Sequence, residues 1–267
     1  MLTLGERPLV MGIVNVTPDS FSDGGVRFAA QDAVAGALQL AAEGADILDI
    51  GAESTRPGHA AVSAEEEWAR LAPVLAGLAE RTGLPPISVD TSKAAVARRA
   101  LAAGASIVND VWGFRRDSEL ASVAAEAGAA VVLMHNRETI DRDLDIVADM
   151  LAVLERSVAI AVSAGVAENR IVLDPGIGFG KTLEQNLRAL AALPQLKALG
   201  FPVLLGVSRK SFIARLFDPQ PGAAERLPGT IAANLHGALA GADILRVHDV
   251  AAHVQALAVV AAIRSAA

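Results

Sequence analysis

Residues 87–111, ISVDTSKAAVARRALAAGASIVNDV, contain two short apolar runs with a helical pattern between them. The run at 87–91 ends in Asp90 and Thr91, and the run at 107–111 carries Asn109 and Asp110 near its end. The helical pattern at 93–103 closes at Gly104, and glycine supplies the left-handed conformation in which many helices end. Apolar runs of this length are typical of strands buried on both faces, as in parallel sheets. The stretch therefore predicts a strand–helix–strand unit with parallel strands.

The same unit recurs along the chain. Eight apolar runs lie at residues 10–16, 47–51, 87–91, 107–111, 130–135, 171–176, 203–208 and 244–249. Helices are predicted at 31–43, 64–81, 93–103, 118–127, 144–164, 183–199, 223–240 and 250–265. Eight such units favour a (β/α)8 TIM barrel, as a single domain over residues 1–267, and a doubly wound open sheet is the alternative. In a barrel, polar residues at the carboxyl ends of the strands mark the site of chemistry.

Composition narrows the class of protein. The 267 residues are 52% hydrophobic, carry a net charge of −7 and include no cysteine. No basic stripe is present, which argues against nucleic acid as a main partner. Neither a secretory signal nor an apolar run of the roughly 18–20 residues that span a bilayer is evident. We expect a cytoplasmic enzyme that acts on small molecules, with neither nucleic acid nor membrane as a partner.

Two polar loops follow the first two runs, at residues 17–25 and 53–59. They exceed the roughly 2–6 residues that usually connect a strand to its helix. Solvated connections are the simple interpretation, but their length and position on the carboxyl face favour mobile lids over a substrate.

Three polar residues end different strands: Asp90, Asn109 and Asp174. In a barrel they project into one cavity, where carboxylates and an amide can bind the edge of a planar heterocycle. A 2-amino-pyrimidinone edge, for example, offers an N–H pair that one carboxylate accepts. Each residue alone could equally be a helix cap. Three on separate strands make that interpretation weaker.

The glycine-rich stretch at 174–182 imitates the end of a phosphate-binding loop. The first glycine of that motif is replaced by Pro175, so the match fails. What remains is a bend that carries one aromatic residue, Phe179. It either walls a ligand or packs in the ordinary way.

The last two strand ends carry groups suited to anions. Lys210 and Ser211 open a helix after the seventh run, at the position where barrels commonly bind phosphate or carboxylate. Arg246 and His248 are two residues apart and therefore face the same side of the eighth strand. Next to Asn15, across the barrel closure, they would bind a diphosphate. For Arg209, Asp49 and His135 we expect structural roles, and no partner is suggested for His135.

These motifs resemble those of the bacterial dihydropteroate synthases, over nearly the whole chain. The matching stretches are residues 11–25, 47–58, 88–91, 108–111, 173–181, 207–212 and 246–250. Residues 134–138, MHNRE, depart from the Met-His-Met that the family more often has, and leave the role of the fifth loop open.

The resemblance implies a (β/α)8 barrel, usually homodimeric. The implied reaction joins (7,8-dihydropterin-6-yl)methyl diphosphate to 4-aminobenzoate, giving 7,8-dihydropteroate and diphosphate. The implied pterin site is Asp90, Asn109, Asp174 and Lys210, with Arg246 over the ring. The implied diphosphate site is Asn15, Arg246 and His248, with Mg2+ held through Asn15. The implied aminobenzoate pocket is Thr55, Pro57, Phe179, Lys210 and Ser211. Asp23 and Arg56 belong to the closing loops and count, with Lys210 and Arg246, as the implied catalytic residues.

Two rival functions stay open on sequence alone. A related pterin-binding barrel that transfers a methyl group could share the Asp and Asn residues, but has no need of a diphosphate site. A non-catalytic relative could bind a pterin without turnover. A Schiff-base aldolase is disfavoured because the sixth strand carries Asp174 and no lysine.

Overall fold

The computed structural model describes residues 4–5, 7–16, 25–53 and 62–266, with only the backbone described for 25–29. Eight parallel strands alternate with helices in this part of the chain. The strands are β1 (Leu9–Asn15), β2 (Ile47–Gly51), β3 (Ile87–Asp90), β4 (Ile107–Asp110), β5 (Ala130–Met134), β6 (Ile171–Asp174), β7 (Leu204–Gly206) and β8 (Ile244–Val247).

The strands form one sheet in the order β6-β5-β4-β3-β2-β1-β8-β7. A parallel bridge between Leu173 and Val203 joins its two edges, beside β6 and β7. The predicted (β/α)8 barrel is therefore confirmed, and the open sheet is excluded.

The helices lie on the outside of this sheet. Those described are α1 (Gly25–Ala42), α2 (Ala64–Ala79), α3 (Ala94–Ala102), α4 (Leu120–Glu126), α5 (Ile146–Ser163), α6 (Leu183–Ala191), α7 (Leu193–Lys197), α8 (Ser211–Ala214), α9 (Leu227–Leu239) and α10 (Val250–Ser265).

Two helix predictions were wrong in extent, and proline explains both. The single helix predicted at 183–199 is α6 followed by α7, because Pro194 has no N–H to continue the first and instead opens the second. The helix predicted at 223–240 begins as a 3-10 turn, Ala223–Arg226, and α9 starts beside Pro228. The described part of the chain contains no helix that is long and apolar enough to cross a membrane.

Side-chain alternation divides the barrel interior into two levels. Alternate strand residues point inward, and those near the amino ends form a small apolar cluster: Leu9, Met11, Ile47, Ile107, Val132, Leu204 and Ile244. Two residues further along the same strands, the inward positions are occupied by Asp49, Asn109, Gly206 and Arg246. The outward side chains join a much larger core under the helices. The apolar floor thus supports a polar layer at the carboxyl face.

Helix α9 packs against β7 through a glycine. A Cβ at Gly237 would stand 2.2 Å from Leu205 Cδ2, so this contact requires glycine. We expect Gly237→Ala to lower the free energy of unfolding by about 1–3 kcal/mol, through overpacking. Gly36→Ala in α1 is the matched control, since a Cβ there meets nothing within 4 Å. The control should leave stability unchanged or raise it by up to about 1 kcal/mol. Urea unfolding of the two variants measures both, and equal effects would contradict the packing argument.

Candidate active site

The guanidinium of Arg246, on β8, ties three strands together at the carboxyl face. Its Nε donates to Asp49 Oδ2 at 2.6 Å, and its Nη2 donates to Asp90 Oδ2 at 2.7 Å. Asn109 Nδ2 donates to the same Asp49 oxygen at 3.1 Å. Asp49 is completely buried and Asn109 is 4% exposed. The four side chains therefore hold one another in fixed orientations above the apolar floor.

Glycine provides room for the second half of the site. A Cβ at Gly206, on β7, would lie 3.8 Å from Asp174 Oδ2, 3.9 Å from Lys210 Nζ and 4.0 Å from Arg246 Cβ. These three side chains converge on the space that residue 206 leaves open. Asp174 Oδ1 is fixed by the N–H of Gly176, which donates to it at 2.7 Å.

Lys210 connects this space to an aromatic wall. Its Nζ donates to the carbonyl of Ile177 and lies 4.6 Å from the centroid of the Phe179 ring. Ser211 follows it as the first residue of α8 and is exposed. Phe179, Lys210 and Ser211 are therefore neighbours at the same edge of the site.

Burial shifts the pKa values of several charged groups in the site toward neutral pH. It raises the pKa of Asp90 to about 7, although the positive charge of Arg246 opposes the rise. It also raises the pKa of Asp174, against the charge of Lys210. The pKa of Lys210 is lowered to about 8, again mainly by burial. Burial also acts to lower the pKa of Arg246, but the negative charges of Asp49 and Asp90 outweigh it and raise this pKa, so Arg246 stays charged.

A buried lysine holds the glycine-rich turn after β6. In its charged form, Lys181 Nζ donates to Gly176 O at 2.7 Å, Phe179 O at 3.2 Å and His135 Nδ1 at 2.7 Å, which uses all three of its protons. His135 accepts through Nδ1, so its Nε2 carries the proton that it donates to Asp149 at 2.9 Å. His135 thus has two partners, whereas the sequence suggested none.

The turn lies very close to the fifth loop. A Cβ at Gly176 would stand 1.8 Å from His135 O, and one at Gly180 would stand 2.5 Å from Arg137 O. Both glycines also have positive φ, 64° and 57°. No other residue fits at either position, so the fifth loop sets the position of the turn that carries Phe179.

The residues predicted to bind the diphosphate lie at the ends of neighbouring strands. Ser208 Oγ and His248 Nδ1 are 2.9 Å apart, which joins the ends of β7 and β8. Asn15 ends β1, the strand paired with β8, and is exposed. Arg209 donates from Nε and Nη2 to Asp249 at 3.0 and 2.5 Å, consistent with the structural role expected for it.

The structure brings six of the predicted site residues together: Asp90, Asn109, Asp174, Phe179, Lys210 and Arg246. Ser211 follows Lys210, and Asn15 and His248 lie at the ends of the paired strands β1 and β8. Asp23, Thr55, Arg56 and Pro57 lie outside the described residues. Asp49, for which the sequence predicts a structural role, orients both Arg246 and Asn109 and so belongs to the site. The available signal was an ionisable residue within an apolar strand.

Comparison with known proteins gives a consistent result. A family described as pterin binding enzyme matches residues 11–248. A dihydropteroate synthase of Bacillus subtilis is 51% identical over 249 residues, which are 93% of this chain and 86% of that protein. The dihydropteroate synthase of Clostridium difficile, solved with pteroic acid present, superposes with a TM-score of 0.94 at 46% identity, covering 98% of this chain and 99% of that one. The Xanthomonas albilineans enzyme with 7,8-dihydropteroate gives a TM-score of 0.90 at 47% identity, covering 98% and 95%.

The Lys181 contacts predict a pH-dependent stability. Burial lowers the pKa of Lys181 from its ordinary 10.5 to about 7. Between these values the unfolded chain binds a proton that the folded protein has released, so the free energy of unfolding rises with pH. Lys181→Met lacks this titration. Relative to the variant, the native protein should gain stability from pH 7 to about 9, by at most roughly 1.4 kcal/mol per pH unit. Urea unfolding at three pH values measures this, and a constant difference would contradict it.

Proposed function

The chain belongs to the pterin-binding enzyme family, as one of its dihydropteroate synthases, and from this we propose how its residues divide the reaction. The enzyme is a pterinylmethyl transferase of folate synthesis. It condenses (7,8-dihydropterin-6-yl)methyl diphosphate with 4-aminobenzoate to give 7,8-dihydropteroate and diphosphate. The observation that carries the residue-level proposal is the polar layer around Arg246, above the barrel floor.

Asp174, Asn109 and Asp90 bind the pterin edge in this proposal. Asp174 Oδ1 is taken by a backbone N–H, so Oδ2, next to the open space at Gly206, accepts from the pterin. Asn109 uses its amide N–H on Asp49, which leaves its oxygen to accept from the ligand. With a pKa near 7, Asp90 can donate or accept a hydrogen bond at neutral pH.

Lys210 and Arg246 complete the pterin site. The ammonium of Lys210 lies between the Asp174 side and the Phe179 ring, so it can contact both substrates. Arg246 is held by two carboxylates in one orientation, which is the condition for it to lie over a planar ring.

Diphosphate leaves toward Asn15, Arg246 and His248. The bond between the pterin methylene carbon and the diphosphate oxygen breaks, and the methylene cation is stabilised by delocalisation into the pterin. Positive and hydrogen-bonding groups at the ends of β1 and β8 stabilise the departing charge. The amine nitrogen of 4-aminobenzoate then forms the new bond and afterwards loses a proton to water. A neutral aromatic amine needs no strong base, so ordering the two substrates is the main task.

The aminobenzoate pocket uses Phe179, Lys210 and Ser211, together with Thr55 and Pro57. The three described residues are neighbours, and Ser211 opens α8, where a carboxylate is favoured. Thr55 and Pro57 stay predictions of the sequence, as do Asp23 and Arg56 in the closing loops.

Mg2+ fits this donor set as a companion of the diphosphate. Within the described ranges no cluster of three or more His, Asp or Glu side chains is arranged to hold a metal ion. The exposed amide of Asn15 offers a single hard oxygen ligand. Mg2+ often binds through one or two protein ligands plus substrate phosphates and water, and it would neutralise diphosphate charge there.

A homodimer is supported by an apolar face on α9 and α10. Leu239, Val259 and Ile263 are 64%, 55% and 66% exposed, and Val259 and Ile263 are one helical turn apart. A second copy of the chain is the occupant we infer. One domain over residues 1–267 and a cytoplasmic location stay predictions of the sequence.

Charging this face should separate the subunits. Val259→Asp/Ile263→Asp should sediment as a monomer where the native protein sediments as a dimer. The control is Ile140→Asp, an exposed apolar residue of the fifth loop at 54% exposure, which should not change the sedimentation. A monomeric native protein would contradict the inference.

The activity itself is tested by supplying the pterin diphosphate, 4-aminobenzoate and Mg2+. Diphosphate and dihydropteroate should form in equal amounts. Folded protein without either product would overturn the proposal, and methyl transfer from methyltetrahydrofolate would support the rival function.

The division of residues is tested by two variants. Asp174→Asn removes a charged acceptor and should weaken pterin binding ~10–100-fold, measured by titration calorimetry. Ser211→Ala should raise KM for 4-aminobenzoate several-fold and leave pterin affinity unchanged. Equal effects of either variant on both substrates would contradict this assignment.

A further inference from the structure

A second cleft, of about 430 Å3, lies between the segment after β4, the segment after β5 and helix α5. We call it the arginine cleft, after Arg115, Arg116, Arg137 and Arg156, which line it together with Trp112. None of the residues assigned to the two substrates lines it. It includes the fifth loop, where the sequence departs from the usual pattern of its family.

Positive charge is concentrated in this cleft although the chain as a whole carries −7. Its acidic residues are Glu138 and Asp149, and Asp149 is already bound by Arg137 Nη1 at 2.9 Å. Of the residues that the structure describes, no carboxylate forms an ion pair with Arg115, Arg116 or Arg156. Burial, followed by the charge of Arg156, lowers the pKa of Arg115, and the carboxylates of Asp110 and Asp149 only partly oppose this shift.

Backbone contacts hold Arg115 and the segment that carries Trp112 in place. Asp110, next to Asn109 but facing outward, accepts from the N–H groups of Trp112 at 3.0 Å and Phe114 at 2.6 Å. Arg115 donates from Nη2 to Asn136 O at 2.8 Å and from Nε to Trp112 O at 3.0 Å. Two carbonyl groups therefore hold the guanidinium of the exposed Arg115 at the wall of the cleft.

Two of the arginines also contact the aromatic ring of the cleft. The guanidinium carbons of Arg115 and Arg116 lie 5.9 and 5.0 Å from the centroid of the Trp112 ring. An anion bound to these two arginines would therefore lie close to the Trp112 ring.

We propose that the arginine cleft binds a small ligand through a phosphate or diphosphate group. Guanidinium groups match phosphoryl oxygens in pairs, and several arginines around one point are typical of such sites. The volume lies within the range of small-molecule pockets. This site is separate from the one where the leaving diphosphate departs.

The two tryptophans of the chain allow a local test. Trp68→Phe removes the one in α2, so the remaining emission comes from Trp112. Titration of this protein with inorganic phosphate, and separately with inorganic diphosphate, should give a saturable change in Trp112 emission with at least one of them. The Arg116→Gln/Arg156→Gln variant in the same background should bind at least tenfold more weakly, and should keep the native rate of dihydropteroate formation.

Three controls separate binding in the arginine cleft from a general effect of salt or charge and from binding at the catalytic anion site. Potassium chloride at matched ionic strength should give no saturable change. Arg98→Gln/Arg170→Gln, which removes the same charge from exposed positions elsewhere, should leave binding unchanged. His248→Ala, which impairs the catalytic anion site, should leave the Trp112 titration intact. The proposal is overturned if the titrations do not saturate, if the cleft variant binds like its matched control, or if His248→Ala abolishes the signal.

Discussion

A buried carboxylate, Asp49, is the group on which the site depends. It accepts hydrogen bonds from both Arg246 and Asn109, while Asp90 accepts a second one from Arg246. Taking these charges out of water is costly, and the pairs repay the cost only if their geometry is kept. The barrel keeps it, because each participant sits on a different strand of one closed sheet. Loss of one partner would leave the others buried and uncompensated, so the cluster behaves as a unit.

Burial in this polar layer also sets the protonation of the groups that face the substrates. A carboxyl group with a pKa near 7 and an ammonium with a pKa near 8 lie within one polar layer. Such groups exchange donor and acceptor roles at little cost, which suits recognition of a heterocycle edge. On the outer side of the barrel, Lys181 and His135 play a supporting part. Their contacts hold the glycine-rich turn in position, and this turn places the Phe179 ring beside Lys210.

What could be predicted from the sequence is the placement of residues that end a strand. Their strand-end positions predict that Asp90, Asn109 and Asp174 project into one cavity, and the motifs around them predict the family that the comparisons show. Contacts between distant segments were not predictable in this way. The bond from Lys181 to His135 joins residues 46 apart, and neither local pattern contains information about the other. Helix α7 was missed because the apolar periodicity continues across the break that Pro194 makes.

The apolar floor and the polar layer both depend on the alternation of inward and outward side chains along each strand. This alternation limits how the length of a strand can change during evolution. Met11 and Asn15, Ile47 and Asp49, and Ile244 and Arg246 are separated by even numbers of residues within their strands. Inserting or deleting a single residue within such a strand would turn its polar side chain toward the helices and its floor residue out of the barrel interior. Changes of chain length are therefore tolerated only beyond the strand ends. Lineages of this enzyme should diverge by remodelling loops, such as the fifth one with its arginines, around strands of constant length.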